Sequence, residues 1–392
     1  MINLTAKEKS MKKFCLFNTL LGVLFSAPVI ASVDDLDEGP KHECTSWMVF
    51  HNLTKNNTNI LHKNRDAKPR DIVAFLSPAD SPRKWIALGS VNSVNMGMNA
   101  SGLAGVMNSG EICINPAVDN TKKTTPQLMR AVLESCDTAA QAVEKLKALV
   151  DSGDYWHKNN KGSIFFFLDP NEGFICEFTL KNCTVQRVNS DYIVRANIWQ
   201  NPGMQMNSRN NIKSYLNSSA RAYIAFSGLN AALDRHGKIT LPDIFDLSRH
   251  WKMPEESPEK RSVCFKLTNS SSSLEIDRQY PGVLSCGYFT VGHPRHTIYV
   301  PIPVCAEKLH PALSDLTWSK AAWARFDSLG LSEPFPVKWQ EFESSSFERF
   351  TRAKEEARKL LDSGKRDEAV KLLNMTAYAI WEEAAAILLP RK

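Results

Sequence analysis

Residues 43–66 read ECTSWMVFHNLTKNNTNILHKNRD. Two strand-like stretches, 45–50 and 59–63, flank an Asn-rich polar turn at 52–57, so the segment predicts a β-hairpin that begins at Cys44. Working outward, residues 94–98 and 103–108 are joined by Asn99-Ala100-Ser101-Gly102, whose Asn and Gly suit a tight turn, and a second hairpin is expected. Thr125-Pro126 opens a helix to about 134, and Thr138 opens another with Ala142, Val143, Leu146 and Val150 at helical spacing. Residues 163–168, 174–180, 183–188 and 192–196 are separated by short polar turns and predict an antiparallel meander. Helices at 219–233 and 241–250, strands near 283–290 and 297–300, and a charged helical tail at 341–388 complete the pattern. Strands and helices are grouped in blocks rather than alternating, which predicts an α+β fold. The Ser-rich stretch 269–273 is too short to read as a linker, so residues 44–330 are expected to form one domain with a helical extension, 331–392, packed on it.

Upstream of the hairpin the chain changes character. Met11-Lys12-Lys13 precedes an apolar run that ends in Val29-Ile30-Ala31, the arrangement of a secretory signal peptide over residues 1–31, with Met11 an alternative start. Pro28 and several polar interruptions argue against an uncleaved anchor, and no later run approaches a membrane span. Residues 32–43 are acidic, contain Gly39 and Pro40, and read as a short pro-segment. The protein is therefore expected to be exported, to a periplasmic or extracellular place of work.

Composition narrows the function classes. The 392 residues are 43% apolar and 23% charged, which excludes a disordered chain, and 18 Gly with 20 Pro exclude collagenous or low-complexity material. A formal net charge of +6 is too thin to argue for a nucleic-acid partner. The sequence holds no Gly-rich phosphate loop, no His-Glu-x-x-His, no Cys-x-x-Cys and no Gly-x-Ser-x-Gly, so nucleotide, zincin, thioredoxin and elbow-serine chemistries have nothing to rest on, and no metal or organic cofactor is expected.

Cys44 stands at the junction between the disposable leader and the first strand. If processing makes it residue one, its own α-amine, which titrates near neutrality, lies within reach of its thiol and can act as general base and then as general acid. The alternative is a buried structural cysteine at a strand start.

Cys44-Thr45-Ser46, a hairpin, and then Lys63-Asn64-Arg65-Asp66 resembles the N-terminal-nucleophile (Ntn) hydrolases of the choloylglycine hydrolase, acid ceramidase and penicillin acyltransferase type. The resemblance implies a four-layer αββα sandwich of two antiparallel sheets, Cys44 as nucleophile with Thr45 beside it, and the Asn-x-Asp element at Asn64 and Asp66, the Asp holding and polarising the cysteine's amine and thiol. It extends to residues 97–108, where the backbone amide of Asn108 would be one oxyanion donor, to Val194-Arg195-Ala196-Asn197, where the side chain of Asn197 would be the other, and to Arg221 near a helix start. Where the choloylglycine hydrolases and ceramidases place Arg immediately before the Asn, this chain has Lys63, with Arg65 one residue after it; residues 63 and 65 share a strand face opposite to 64 and 66, and either can fill the basic position if the strand bulges. The implied activity is hydrolysis of a linear amide through a thioester, after cleavage before Cys44. The implied substrate is a small amide such as an N-acyl amino acid or a bile-acid conjugate. Acyl transfer to an amine, or an inactive exported binding protein on the same scaffold, are the alternatives.

Other residues carry two readings each. Asn99 suits a turn. Trp47, Trp85 and Trp199 line an apolar acyl pocket or belong to the core. His42 and Glu43 tune self-cleavage or are simply solvated leader. Glu177, in mid-strand, is a candidate buried partner for a basic residue. Cys176 and Cys183 are spaced for a cross-strand disulfide that parity among the remaining cysteines leaves unassigned.

Overall fold

The computed structural model describes residues 42–209, 212–252 and 262–389. The expected signal peptide and most of the expected pro-segment lie outside these residues. The described residues belong to one compact unit.

The strands are β1 (His42–Val49), β2 (Asn59–Ala67), β3 (Ile72–Leu76), β4 (Trp85–Ser90), β5 (Ser93–Asn99), β6 (Ala104–Ile112), β7 (Lys123–Thr124), β8 (Tyr155–Trp156), β9 (Lys161–Leu168), β10 (Gly173–Thr179), β11 (Asn182–Arg187), β12 (Tyr192–Arg195), β13 (Thr268–Ile276), β14 (Cys286–Val291) and β15 (Val300–Pro303). The helices of two or more turns are α1 (Thr125–Ser135), α2 (Ala139–Ser152), α3 (Ile212–His236), α4 (Leu241–Ser248), α5 (Thr317–Leu329), α6 (Val337–Asp362) and α7 (Arg366–Leu388). One six-stranded sheet runs β12-β1-β2-β13-β14-β15 and one seven-stranded sheet runs β11-β10-β9-β6-β5-β4-β3; every pairing in both is antiparallel.

The sheets stack through Met48, Leu61 and Leu274 on one side and Met96, Met98, Val106 and Phe166 on the other, all fully buried. Helices α1 and α2 cover the outer face of the seven-stranded sheet, where Leu128, Val132 and Leu146 meet Phe165, Phe167 and Phe178. Helices α3 and α4 cover the outer face of the six-stranded sheet. The fold is thus the αββα sandwich. The C-terminal helices join the same core: Trp381 on α7 is buried and donates from Nε1 to Pro301 O at 2.7 Å, and Arg249, just past α4, holds Glu343 on α6 at 2.5 and 2.8 Å.

Local signals explain the elements found from sequence. Thr138 accepts from Gln141 N as an N-cap and Gly153 (φ +69°) ends α2 in the left-handed region that glycine adopts without strain. Gly102 (φ +84°) closes the β5–β6 turn, with Asn99 Oδ1 accepting from Ser101 N and Leu103 N.

One expectation is corrected, and one strand goes unforeseen. The four-strand meander is a three-strand one, β9-β10-β11. The fourth strand, β12, crosses to the other sheet and pairs with β1, Ser46 facing Arg195. The Ser-rich stretch is part of a central strand, β13, whose nine residues are all buried. Its composition hides it, because serine has no strand-like hydrophobicity. Its small side chains suit the place: Ser272 faces Lys63 and Ser270 faces Arg65, leaving room for two long cationic side chains.

Candidate active site

Register decides which groups meet. β1 and β2 pair without interruption from His42↔Ala67 to Val49↔Ile60. Directly opposed residues share a face and alternate along the strand, so Cys44, Ser46, Lys63 and Arg65 point between the sheets, whereas Glu43, Thr45, Asn64 and Asp66 point toward α3 and α4. No bulge is needed to bring a basic residue to the cysteine, since both candidates already lie on its face. They differ in what they do there. Lys63 is fully buried, and its Nζ donates to Met107 O and, at 2.9 Å, to Asn108 Oδ1 on the second sheet. Burial lowers its pKa, and the adjacent Cys44 thiol opposes that by favouring the ammonium. Arg65 is half-buried and donates to Asn269 Oδ1 at 3.2 Å.

Cys44 is 5% exposed. Its backbone N–H donates to Asn197 Oδ1 at 2.8 Å, and its carbonyl accepts from Arg221 Nη1 at 2.6 Å. Arg221, on α3 and fully buried, also donates to Thr45 Oγ1 (2.9 Å), Asn197 Oδ1 (2.8 Å) and Asn217 Oδ1 (3.2 Å), and its Nη2 lies 3.3 Å from Glu43 Oε2. One guanidinium therefore spans the residue before Cys44, Cys44 itself, Thr45 and Asn197, using the fork of donors that only arginine offers. Asn197 is brought here because β12 runs beside β1. Its Nδ2 donates to Ser109 O at 2.7 Å, so both ends of the amide are fixed.

Asn108, fully buried on β6, accepts at Oδ1 from Ser46 Oγ (2.8 Å) and Lys63 Nζ, and donates from Nδ2 to Ala196 O at 3.0 Å. It ties the second sheet to β1, β2 and the residue before Asn197.

Asp66 lies on the opposite face from the thiol, opposed to Glu43 across the strand pair. Thr268 Oγ1 donates to it at 2.6 Å, and burial pushes its carboxyl up to about 7, against the pull of Arg221 and Thr268. Asn64 is turned away from the nucleophile: its Nδ2 donates to Ser248 O and Val263 O and its Oδ1 accepts from Ser271 Oγ at 2.6 Å, which fastens β2 and β13 to the end of α4. Around Cys44 the other eight named residues thus fall into a thiol-side set of Lys63, Arg65 and Asn108 and a backbone-side set of Asn197, Arg221, Thr45 and Asp66, with Asn64 behind them.

The remaining readings divide plainly. Trp47 stacks on His62 (3.9 Å, 16°) beneath the helices, Trp85 packs under α1 and α2, and Trp199 is core, donating to Ser163 O at 3.4 Å. Burial takes His62 down to about 3. Asn99 donates to Leu133 O and Cys136 O as well as closing its turn. Glu177 accepts from Gln200 N and Asn201 N and has Arg195 as its charged neighbour. That pair borders an open cleft of about 360 Å³ between the sheets, with Gln186 and Gln200, on the side where Arg195 and Asn197 sit two residues apart. All eight cysteines among the described residues are free, Cys176 and Cys183 included; these two lie on adjacent strands but oppose Val185 and Phe178 rather than each other. Glu43 is not solvated leader: it is 2% exposed and part of β1.

Sequence reasoning missed Asn217, Ser46 and Thr268. Asn217 had a usable signal, since it precedes Arg221 by four residues and therefore shares its helix face. Thr268 had none, because its role depends on a strand, β13, that the serine-rich composition hides.

Residues 53–236 match the family model described as acyl-coenzyme A:6-aminopenicillanic acid acyl-transferase. No curated protein matches the chain. Among solved structures the chain is similar to penicillin V acylase from Agrobacterium tumefaciens (14% identity, TM-score 0.45, 66% of this chain and 86% of that one). It is also similar to a variant of conjugated bile acid hydrolase from Clostridium perfringens (13%, 0.45, 66% and 92%). A further likeness is to the Caenorhabditis elegans ortholog of N-acylethanolamine-hydrolyzing acid amidase (16%, 0.39, 61% and 94%). The family match runs from the turn after β1 to the end of α3, so it takes in Asn64, Asp66, Asn108, Asn197 and Arg221 and begins after Cys44; over that segment the chain is similar to the acyl-transferase family.

Proposed function

We propose that the chain is the precursor of an N-terminal-cysteine amidohydrolase, exported and activated by cleavage between Glu43 and Cys44. The observation that carries this reading is the clamp on Cys44. Its N–H is held by Asn197, its carbonyl by Arg221, and Arg221 reaches across the bond to Glu43. A structural cysteine needs none of these contacts to its main chain. Once the bond is cut, the same nitrogen becomes an amine beside Asn197, with Asp66 and Arg221 setting the local charge. The thiol, between the sheets and next to the Lys63 ammonium, attacks the carbonyl of a linear amide. Oxyanion charge is met by donors from Asn108 and Asn197, the Cys44 amine protonates the leaving amine, and water then releases the acid from the thioester. The reaction as written draws its acid, base and nucleophile from Cys44 alone.

Intact mass of the secreted protein and an end-group determination test this directly. The expected chain begins at Cys44, and Cys44→Ala retains the upstream residues and loses hydrolysis. Fully active protein that still carries residues 32–43 refutes the mechanism. The acyl-transferase description of the matched family supports a second reading, in which an amine replaces water; added amine nucleophiles then appear in the product, and free acid as the sole product excludes it.

A further inference from the structure

The residue that processing removes is held as a ligand would be. Glu43 is buried, and its carboxylate receives Asn217 Nδ2 at 3.2 and 3.1 Å on its two oxygens and lies 3.3 Å from Arg221 Nη2, while Asn217 in turn accepts from Arg221 Nε. The other acceptors in contact with Arg221 are neutral: Cys44 O, Thr45 Oγ1, Asn197 Oδ1 and Ser218 Oγ. Asp66 acts on it only at longer range. Cleavage follows from the reading above: Cys44 Sγ adds to the Glu43 carbonyl, the C–N bond breaks to give a thioester and a free Cys44 amine, and water hydrolyses the thioester, releasing the upstream segment as an acid and regenerating the thiol. One carboxylate then leaves the site and one amine appears, so a fully buried arginine loses its contacting anion while local positive charge rises. Such a site is costly to leave empty and selective for an anion.

We propose that Glu43 marks an acyl-side anion subsite, built by Arg221 and Asn217, which in the mature enzyme takes a carboxylate carried on the acyl group of the substrate. Glu43 also sets the reach. Three carbons, Cα, Cβ and Cγ, separate the main-chain carbonyl that Cys44 attacks from the carboxylate that Arg221 binds, the spacing of a glutaryl group. Linear glutaryl amides are thus the substrate class that reproduces both contacts: Sγ attacks the amide carbonyl, the amine leaves with the proton of the Cys44 ammonium, and water releases glutarate. This inference rests on Cys44 being the nucleophile.

The test uses mature protein shown by intact mass to begin at Cys44. Its kcat/KM is compared on the glutaryl amide of 7-amino-4-methylcoumarin and on the methyl ester of the same compound, which keeps the length and removes the charge. A preference for the acid of at least about 10-fold is expected from a charged hydrogen-bonded contact, and Asn217→Leu shrinks that ratio. Because the variant can fail for lack of folding, inhibition of the unaltered enzyme is measured too, with glutarate expected to bind more tightly than pentanoate. Equal or better turnover of the ester together with equal inhibition overturns the subsite and leaves the amidase reading intact. Protein that is active without a free Cys44 terminus overturns both.

Discussion

Asp66→Asn offers a test of the site's electrostatics that needs no knowledge of the substrate. The change is isosteric and sits at a carboxyl that is 3% exposed, opposed to Glu43 and reached by Thr268 Oγ1 at 2.6 Å. Burial raises this carboxyl from an ordinary value of 3.8 to about 7, so the folded protein holds a proton there that the unfolded chain gives up. The sign follows: stability associated with Asp66 is fully present below the unfolded value and is lost as pH rises through about 7. The interval corresponds to about 4 kcal/mol by pH 8. Asparagine removes that penalty and weakens the Thr268 bond, a loss of roughly 1 kcal/mol at any pH. Compared in a Cys44→Ala background, so that both proteins stay unprocessed, Asp66→Asn is therefore expected to be about as stable as its parent at pH 4.5, where the two effects cancel, and more stable at pH 8. Urea midpoints in a constant-ionic-strength buffer series measure this. A stability difference that does not move between pH 4.5 and 8, or that moves the other way, refutes the assignment of a protonated, burial-dominated carboxyl.

Further outcomes are expected elsewhere. Lys63→Met removes the cation between Cys44 and Asn108, and kcat/KM should fall by about 100-fold, the scale of one lost electrostatic stabiliser, while Lys63→Arg, which keeps the charge, should lose less; equal losses from the two would count against a role for charge. Arg249→Met leaves the buried Glu343 carboxylate uncompensated and should cost about 3–5 kcal/mol in denaturant unfolding, with Arg249→Met/Glu343→Leu recovering much of it. An additive double variant would show that α6 is not held by this pair. Gly102→Ala places a methyl 2.7 Å from Pro281 Cβ at φ +84° and should lower stability by about 1–3 kcal/mol, and an unchanged melting profile would show that the turn relaxes freely.

Much of the fold is legible because its signals are local. The hairpin from Cys44 to Asp66 is two strand-like stretches broken by Asn-rich polar residues, the β5–β6 turn carries a glycine where the backbone needs positive φ, and α1 and α2 announce themselves by spacing and caps. The site is legible only in part. Cys44 could be singled out by its place at a leader boundary, and Arg221 and Asn197 by likeness to a family. What each of them touches could not be read, because Asn197 meets Cys44 across 153 residues and Arg221 meets it across 177.

By itself, then, the sequence determined an α+β chain, a cysteine near the start of its first strand, and a pair of basic residues, Lys63 and Arg65, on one face of the return strand, since faces alternate along a strand; the register of β1 on β2 is what puts that face on the cysteine's side. Only the tertiary structure decided that Lys63 and not Arg65 bridges to the second sheet, that Asn64 turns away from the thiol, that a strand of serines lies at the centre of a sheet, and that Glu43 is bound rather than solvated. The physical reason is common to all four. Periodicity and turn chemistry act between residues a few positions apart, whereas the partner of a buried polar group is set by which strands lie side by side, and β12 and β13 take their places beside β1 and β2 from more than a hundred residues away.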